Sequence, residues 1–300
     1  MPKRLRQVIN IKNIQTMGYT IAALIAFAAN SVLCRIALKD DAIDASSFTA
    51  IRLLSGVLMF FILFRFKAKS FPSISEKKGG HWKTGFMLFL YAITFSFAYI
   101  SLDTGTGALV LFGAVQLTMI ITSIVKGNKL HVSEWLGIAI SFSGLAYLVY
   151  PTLTTPSFSG FVLMGLSGIA WGIYTLSGRG SVDPMGDSAL NFKYTIPLVL
   201  CLIVITFPMM EISFYGVVLA ILSGAFASAL GYTIWYVALG GLSEIEAAVV
   251  QLSVPVIAAI GGVIFVLESI SLRLVIACLL VLGGIFTVLI SRWKLALKRM

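Results

Sequence analysis

The sequence predicts an all-α integral membrane protein, ten transmembrane helices arranged as two inverted five-helix repeats. Three observations carry this prediction. Of the 300 residues, 59% are hydrophobic and only 11% charged, against about 25% charged in a soluble domain. The apolar residues gather into runs of roughly the 20 residues a helix needs to cross a bilayer, at about 17–37, 46–66, 84–103, 105–125, 132–150, 157–179, 188–208, 213–239, 243–267 and 271–291. Lysine and arginine crowd the loops and tails of one side, leaving only Arg35, Lys39, Arg52 and Arg273 to the other. Positive charge marks the cytoplasmic side, so both termini are expected there, which requires an even number of spans. Five spans per block is odd, so the blocks 1–153 and 154–300 are expected in opposite orientations within one membrane domain.

Each element has its own signature. The first run is too long, too late and too polar at its end, with Asn30, Ser31 and Arg35, for a cleaved leader. In the third, Tyr91, Phe95 and Tyr99 recur every four residues and share a helix face. The fourth, TGTGALVLFGAVQLTMI from Thr104 to Ile120, combines Gly105, Gly107 and Gly113 with one amide, Gln116. Pro151 and Pro156 divide the fifth span from the sixth. Trp171 and Tyr174 lie in the middle of the sixth, and Pro197 is expected to kink the seventh. The eighth carries small residues from Gly224 to Gly231, then Tyr232, Trp235 and Tyr236. The ninth holds Gln251 and a second expected kink at Pro255. Glycine-rich stretches recur at 137–150 and 277–290, near the end of each block. The longest polar loop is only Lys67–Lys83, so no water-soluble domain is expected.

Several classes of function are disfavoured. His81, His131 and the scattered Cys34, Cys201 and Cys278 form no metal or disulfide framework; the cysteines read as packing residues. No GxxxxGK[ST] motif is present, which argues against ATP drive and, with the histidines, leaves no cofactor and no catalytic set to propose. The formal charge of +10 is explained by membrane topology, so no nucleic-acid partner is expected, only the lipid bilayer and a small molecule. The oligomeric state is left open, a monomer being compatible. A channel usually relies on repeated subunits or a charged ring.

A glutamine inside a span is costly unless it faces protein, water or a ligand. Gln116 and Gln251 occupy loosely equivalent places in the two halves, which points to a polar site between them. Trp171 falls too deep for an interfacial belt, the role expected of Trp82, Trp135 and Trp293. An aromatic cavity with a few convergent amides suits amphiphilic solutes. The candidate substrate-binding residues are therefore Asn30, Phe95, Tyr99, Gln116, Trp171, Tyr174, Trp235 and Gln251. Arg35 and Arg52 have two readings: snorkelling towards a membrane end, or holding a substrate carboxylate. No carboxylate is central, Glu268 falling at the outer end of span nine, so transport down the substrate's own gradient is expected over proton coupling.

The segments FTAIRLLSG at 48–56, LSGIAWGIYTLSGRG at 166–180 and VIFVLESISLRLVIACLLVLGGI at 263–285 resemble the drug/metabolite transporter superfamily in its EamA-type branch. Arg52 and Glu268 fall on the family's arginine and glutamate, and Asn128 stands where the first half would carry its glutamate. Within the family the chain looks like YddG-type exporters of aromatic amino acids. The resemblance implies a multi-pass carrier of the bacterial cytoplasmic membrane exporting amino acids by alternating access. Export of other metabolites or drugs by proton-coupled antiport, or less readily a channel, is the alternative.

Overall fold

Helix boundaries fall where the sequence supplies caps. In a computed structural model that describes residues 3–39, 41–66, 81–125, 127, 131–150, 157–242, 247 and 250–297, α1 runs from Lys3 to Lys39, α2 from Ala45 to Phe66, α3 from His81 to Tyr99, α4 from Thr104 to Val125 and α5 from Val132 to Val149. The chain continues with α6 (Phe158–Gly178), α7 (Pro184–Thr206), α8 (Phe214–Leu239), α9 (Val254–Val266) and α10 (Leu272–Leu297). Asp44 opens α2 by accepting the amides of Ser46 and Ser47 at 3.0 and 2.9 Å. Ser157, Asp183 and Ser213 do the same for α6, α7 and α8, and His131 with Glu134 forms a reciprocal cap on α5. Such caps satisfy amides that have no partner inside the helix.

Among the described residues there is no strand beyond one isolated bridge, between Ile43 and Ile212. Among the described residues six helices are long and apolar enough to cross a membrane, and the regions 132–148, 254–266 and 272–288 are shorter apolar helices. The expected spans correspond closely to α1–α10, with three differences. The first helix begins at Lys3 rather than near residue 17. The ninth span is interrupted: a turn at Leu252–Ser253 separates Gln251 from α9, and Pro255 sits in the first turn of α9. There proline starts a helix rather than kinking one, because its missing N–H would be unpaired in any case. The third difference is in α8, which widens to i→i+5 turns over Leu222–Leu230 before narrowing again at Gly231. Expectations for Lys67 to Gly80, Asn128, Pro151, Pro156 and the Trp293 side chain lie outside the described residues.

The two halves interleave rather than stand apart. Helix α2 packs on α7 and α8, α3 on α6 and α7, α4 on α6 and α9, and α1 on α8 and α9. Helices α5 and α10 form a close pair that also touches α4. A Cβ built on Gly137 would stand 2.5 Å from the Gly284 carbonyl, and one on Gly284 would stand 2.5 Å from that of Gly137. Ser141 Oγ donates to the Val281 carbonyl at 3.1 Å between them. Small residues here let the two backbones touch, the usual basis of helix association where the hydrophobic effect gives no drive.

Candidate functional site

The site is assembled from one face each of α1, α2, α3, α6 and α8. The four-residue spacing of Tyr91, Phe95 and Tyr99 puts all three on the buried face of α3, with successive ring centroids 5.3 and 4.7 Å apart. Trp171, one turn before Tyr174 on α6, stacks on it at 5.2 Å and 19°. The same indole meets Tyr91 at 4.9 Å, Tyr232 at 4.6 Å and, edge-on, Phe27 at 5.4 Å. Trp235 reaches the cluster through Phe27, 5.6 Å away. These rings pack on one another, and Trp171, Tyr174 and Trp235 are all buried. The indole nitrogens of Trp171 and Trp235 nonetheless have no acceptor among the described residues. A separate cleft of about 320 Å³ lies at the end of the bundle where α2 begins, lined by residues such as Leu38, Ile43, Phe97 and Met209.

Beside the rings lies a polar layer. Asn30 donates to the Tyr91 hydroxyl at 3.1 Å and accepts from Ser223 at 2.5 Å. Tyr232 OH also donates to Tyr91 OH, at 3.2 Å. Arg52 stands two turns into α2, about 10 Å along its axis at a rise of roughly 1.5 Å per residue. Its Nε donates to Ser228 Oγ at 3.1 Å, and its Nη2 to the hydroxyls of Tyr91 at 3.1 Å and Tyr232 at 2.8 Å. The guanidinium lies over the rings of Tyr91 and Phe95, at 5.1 and 4.9 Å, a cation–π geometry. The widened turns of α8 bring Ser223 and Ser228 into this layer. Gly224 permits the approach, since a Cβ there would run into the Arg52 carbonyl and Ser55. Wide turns of this kind recur at functional positions in helices.

The snorkelling expectation for Arg35 and Arg52 is corrected. Both are buried, Arg52 fully, because each turns inward to partners on other helices instead of outward to water. Arg35 is neutralised: its Nε meets Glu268 Oε1 at 3.0 Å and its Nη2 meets Asp103 Oδ1 at 3.3 Å. Its Nη1 donates to the carbonyls of Tyr99 and Ile100 at 2.8 and 3.1 Å. Burial raises the Asp103 carboxyl from its ordinary value, the nearby Glu268 adds to that, and Arg35 pulls it back.

Of the residues expected at the site, Asn30, Phe95, Tyr99, Trp171, Tyr174 and Trp235 fall in or against this one cluster. Gln116 and Gln251 are both buried on their helices. Gln251 Nε2 donates to the Ala247 carbonyl one turn back at 3.1 Å, and its Oε1 accepts from no donor among the described residues. It stands at the interruption before α9. Phe27, Tyr91, Ser223, Ser228 and Tyr232 belong to the cluster and are not among the candidate binding residues, and Arg52, for which a substrate carboxylate is one of the two readings, lies there too. Phe27 was within reach, being three residues before Asn30 and so on the same helix face. The two serines carried no signal in a stripe of small residues.

The model of the EamA-like transporter family matches the chain twice, over residues 15–150 and 158–290. An uncharacterized protein of Pseudomonas aeruginosa is 46% identical over 278 residues, covering 93% of this chain and 96% of its own. A protein of Archaeoglobus fulgidus described as an uncharacterized transporter is 24% identical over 216 residues, 68% of this chain and 74% of its own. A solved crystal structure superposes with a TM-score of 0.62 at 16% identity, covering 90% of this chain and 98% of that one. That last likeness concerns the fold alone.

Proposed function

The chain belongs to the EamA-like transporter family, and from that premise we propose that it exports small amphiphilic metabolites, amino acids including aromatic ones foremost, by alternating access. The observation that carries this reading is the buried layer of rings and polar groups drawn from both halves, around Asn30, Phe95, Tyr99, Trp171, Tyr174 and Trp235. Rings bind a ring-bearing or long apolar side chain, while amides and hydroxyls orient a polar head. Gln116 and Gln251 serve the same site from α4 and the interrupted ninth span, an arrangement met where carriers bind their cargo.

Two features support an inverted pair of repeats with a boundary near residues 153 and 154. The family model matches once on each side of it, and Gly137 and Gly284 meet reciprocally, as two related helices crossing at a pseudo-two-fold axis would. The charge distribution supports a multi-pass protein of the bacterial cytoplasmic membrane with both termini inside.

The test is flux in liposomes containing the purified protein. Saturable uptake of phenylalanine, accelerated by phenylalanine on the opposite side, is the expected result. Unsaturable flux without exchange stimulation would indicate a channel, and no movement of any amino acid would remove the substrate reading.

A further inference from the structure

Arg52 is a fully buried cation without a counter-charge: among the described residues no carboxylate forms an ion pair with it, the carboxylates of Glu268 and Asp103 being taken by Arg35. A buried charge left uncompensated is strongly unfavourable, so its retention calls for a partner. The surroundings are short of acceptors as well. Three donors converge on the single oxygen of Tyr91, from Asn30, Arg52 and Tyr232. Arg52 Nη1 and the indole nitrogens of Trp171 and Trp235 have no acceptor among the described residues. Such a layer is complete only when something negative enters it.

We infer that Arg52 is the anchor for an organic monocarboxylate, held at the free Nη1 side with Tyr91 and Tyr232 alongside, and that the carboxylate rather than the amine is the obligatory recognition element. This rests on the proposed transport function and names the charge its cargo must carry. A single arginine matches one negative charge; a phosphate dianion would call for more than one cation, and the other buried arginine, Arg35, is already paired. The rings of Tyr91 and Phe95 against the guanidinium, with Trp171 packed on Tyr91, exclude water, which strengthens a charge-assisted pair. They also give an apolar tail somewhere to lie. An ammonium entering this layer would meet only the neutral oxygens of Asn30, Tyr91, Ser223, Ser228 and Tyr232 among its hydrogen-bonded groups, so amine-free acids are admitted too.

The experiment uses the full-length purified protein and a panel of acid–amide pairs: phenylalanine and phenylalaninamide, 3-phenylpropionate and its amide, leucine and leucinamide, hexanoate and hexanamide. Thermal stabilisation and liposome flux are both read. In every pair that is recognised, the acid should act at a concentration at least about tenfold lower than the amide, the size of a lost charge-assisted hydrogen bond. Arg52→Gln should abolish that preference while leaving the ligand-free melting temperature equal or higher, because it removes an uncompensated buried charge. Arg52→Lys should keep part of the preference. Amides as effective as acids would overturn the anchor while leaving ring-bearing cargo standing. Recognition of the aliphatic acids alone would uphold the anchor and remove the aromatic reading. An Arg52→Gln protein that melts well below the wild type yet still prefers acids would make Arg52 structural, and recognition of no pair would overturn both readings.

Discussion

Arg35 on α1 and Glu268, just past the end of α9, form a 3.0 Å ion pair across 233 residues of sequence, with both side chains about nine-tenths buried. Glu268 spends its second oxygen on the Thr104 amide at 2.8 Å, so one carboxylate ties α1 to the start of α4. Lys39 adds a bond to the Val266 carbonyl at 2.9 Å. The left-handed backbone of Leu267 (φ 56°) turns the chain so that Glu268 can reach inward. Together these contacts form a latch that ties α1, the start of α4 and the end of α9 to one another.

Opening the latch should expose the site. In a protein lacking Cys34, Cys201 and Cys278, a cysteine at buried Ser31, one turn before Arg35, should react slowly with an impermeant thiol reagent. Glu268→Gln should speed that labelling several-fold and lower stability by up to about 3 kcal/mol, as when a buried pair loses one partner. Replacing both residues by methionine should recover part of the stability, since no charge is then left unpaired. Unchanged labelling in Glu268→Gln would show that the pair does not gate the site.

Asp103 gives the latch a pH dependence with a defined sign. Its folded-state carboxyl is raised, by burial first and then by Glu268. The folded protein therefore holds this proton more readily than the unfolded chain, and the associated stability is lost as pH rises through the raised value. Asp103→Asn should melt slightly above the wild type at pH 8, with the gap closing as pH falls through the carboxylate range. The effect will be small, because the Asp103 side chain is 61% exposed and solvent screens it. Melting curves across pH check it, and a gap that widens on acidification would contradict it.

Trp171 touches four other rings, so truncation to alanine would remove on the order of 3–5 kcal/mol of packing and confuse folding with function. Trp171→Phe keeps an aromatic ring and deletes the unpartnered indole N–H. Flux of ring-bearing substrates per folded molecule should fall roughly tenfold, in the range of one charge-assisted hydrogen bond, with protein abundance little changed. Equal flux would make Trp171 ordinary packing.

The neighbouring glycines of α10 should respond oppositely to the same change. Gly283 has nothing within 4 Å of a built Cβ, whereas Gly284 would meet Ser141 and the Gly137 carbonyl. Gly284→Ala should destabilise by about 1–3 kcal/mol as overpacked helices are forced apart. Gly283→Ala should be neutral or slightly stabilising, as expected for glycine replaced in a helix. Thermal melts of the two purified variants decide it, and equal melting temperatures would remove the close α5–α10 contact.

The sequence by itself determined the membrane class, the positions of the helices apart from the starts of α1 and α9, and the aromatic faces of α3 and α6. These depend on local quantities: apolar run length against bilayer thickness, cap residues at helix starts, and a 3.6-residue period that places Tyr91, Phe95 and Tyr99 together. Only the tertiary structure decided which buried arginine has a counter-charge. Arg35 and Arg52 look alike in sequence, both near a span end, and differ because crossing helices bring Glu268 to one and only neutral hydroxyls to the other. It also decided the widening of α8, which small residues permit without specifying, and with it the placing of Ser223 and Ser228. Contacts of this kind depend on helix rotation and crossing, set by packing across the whole molecule, and a pattern read along one chain does not contain them.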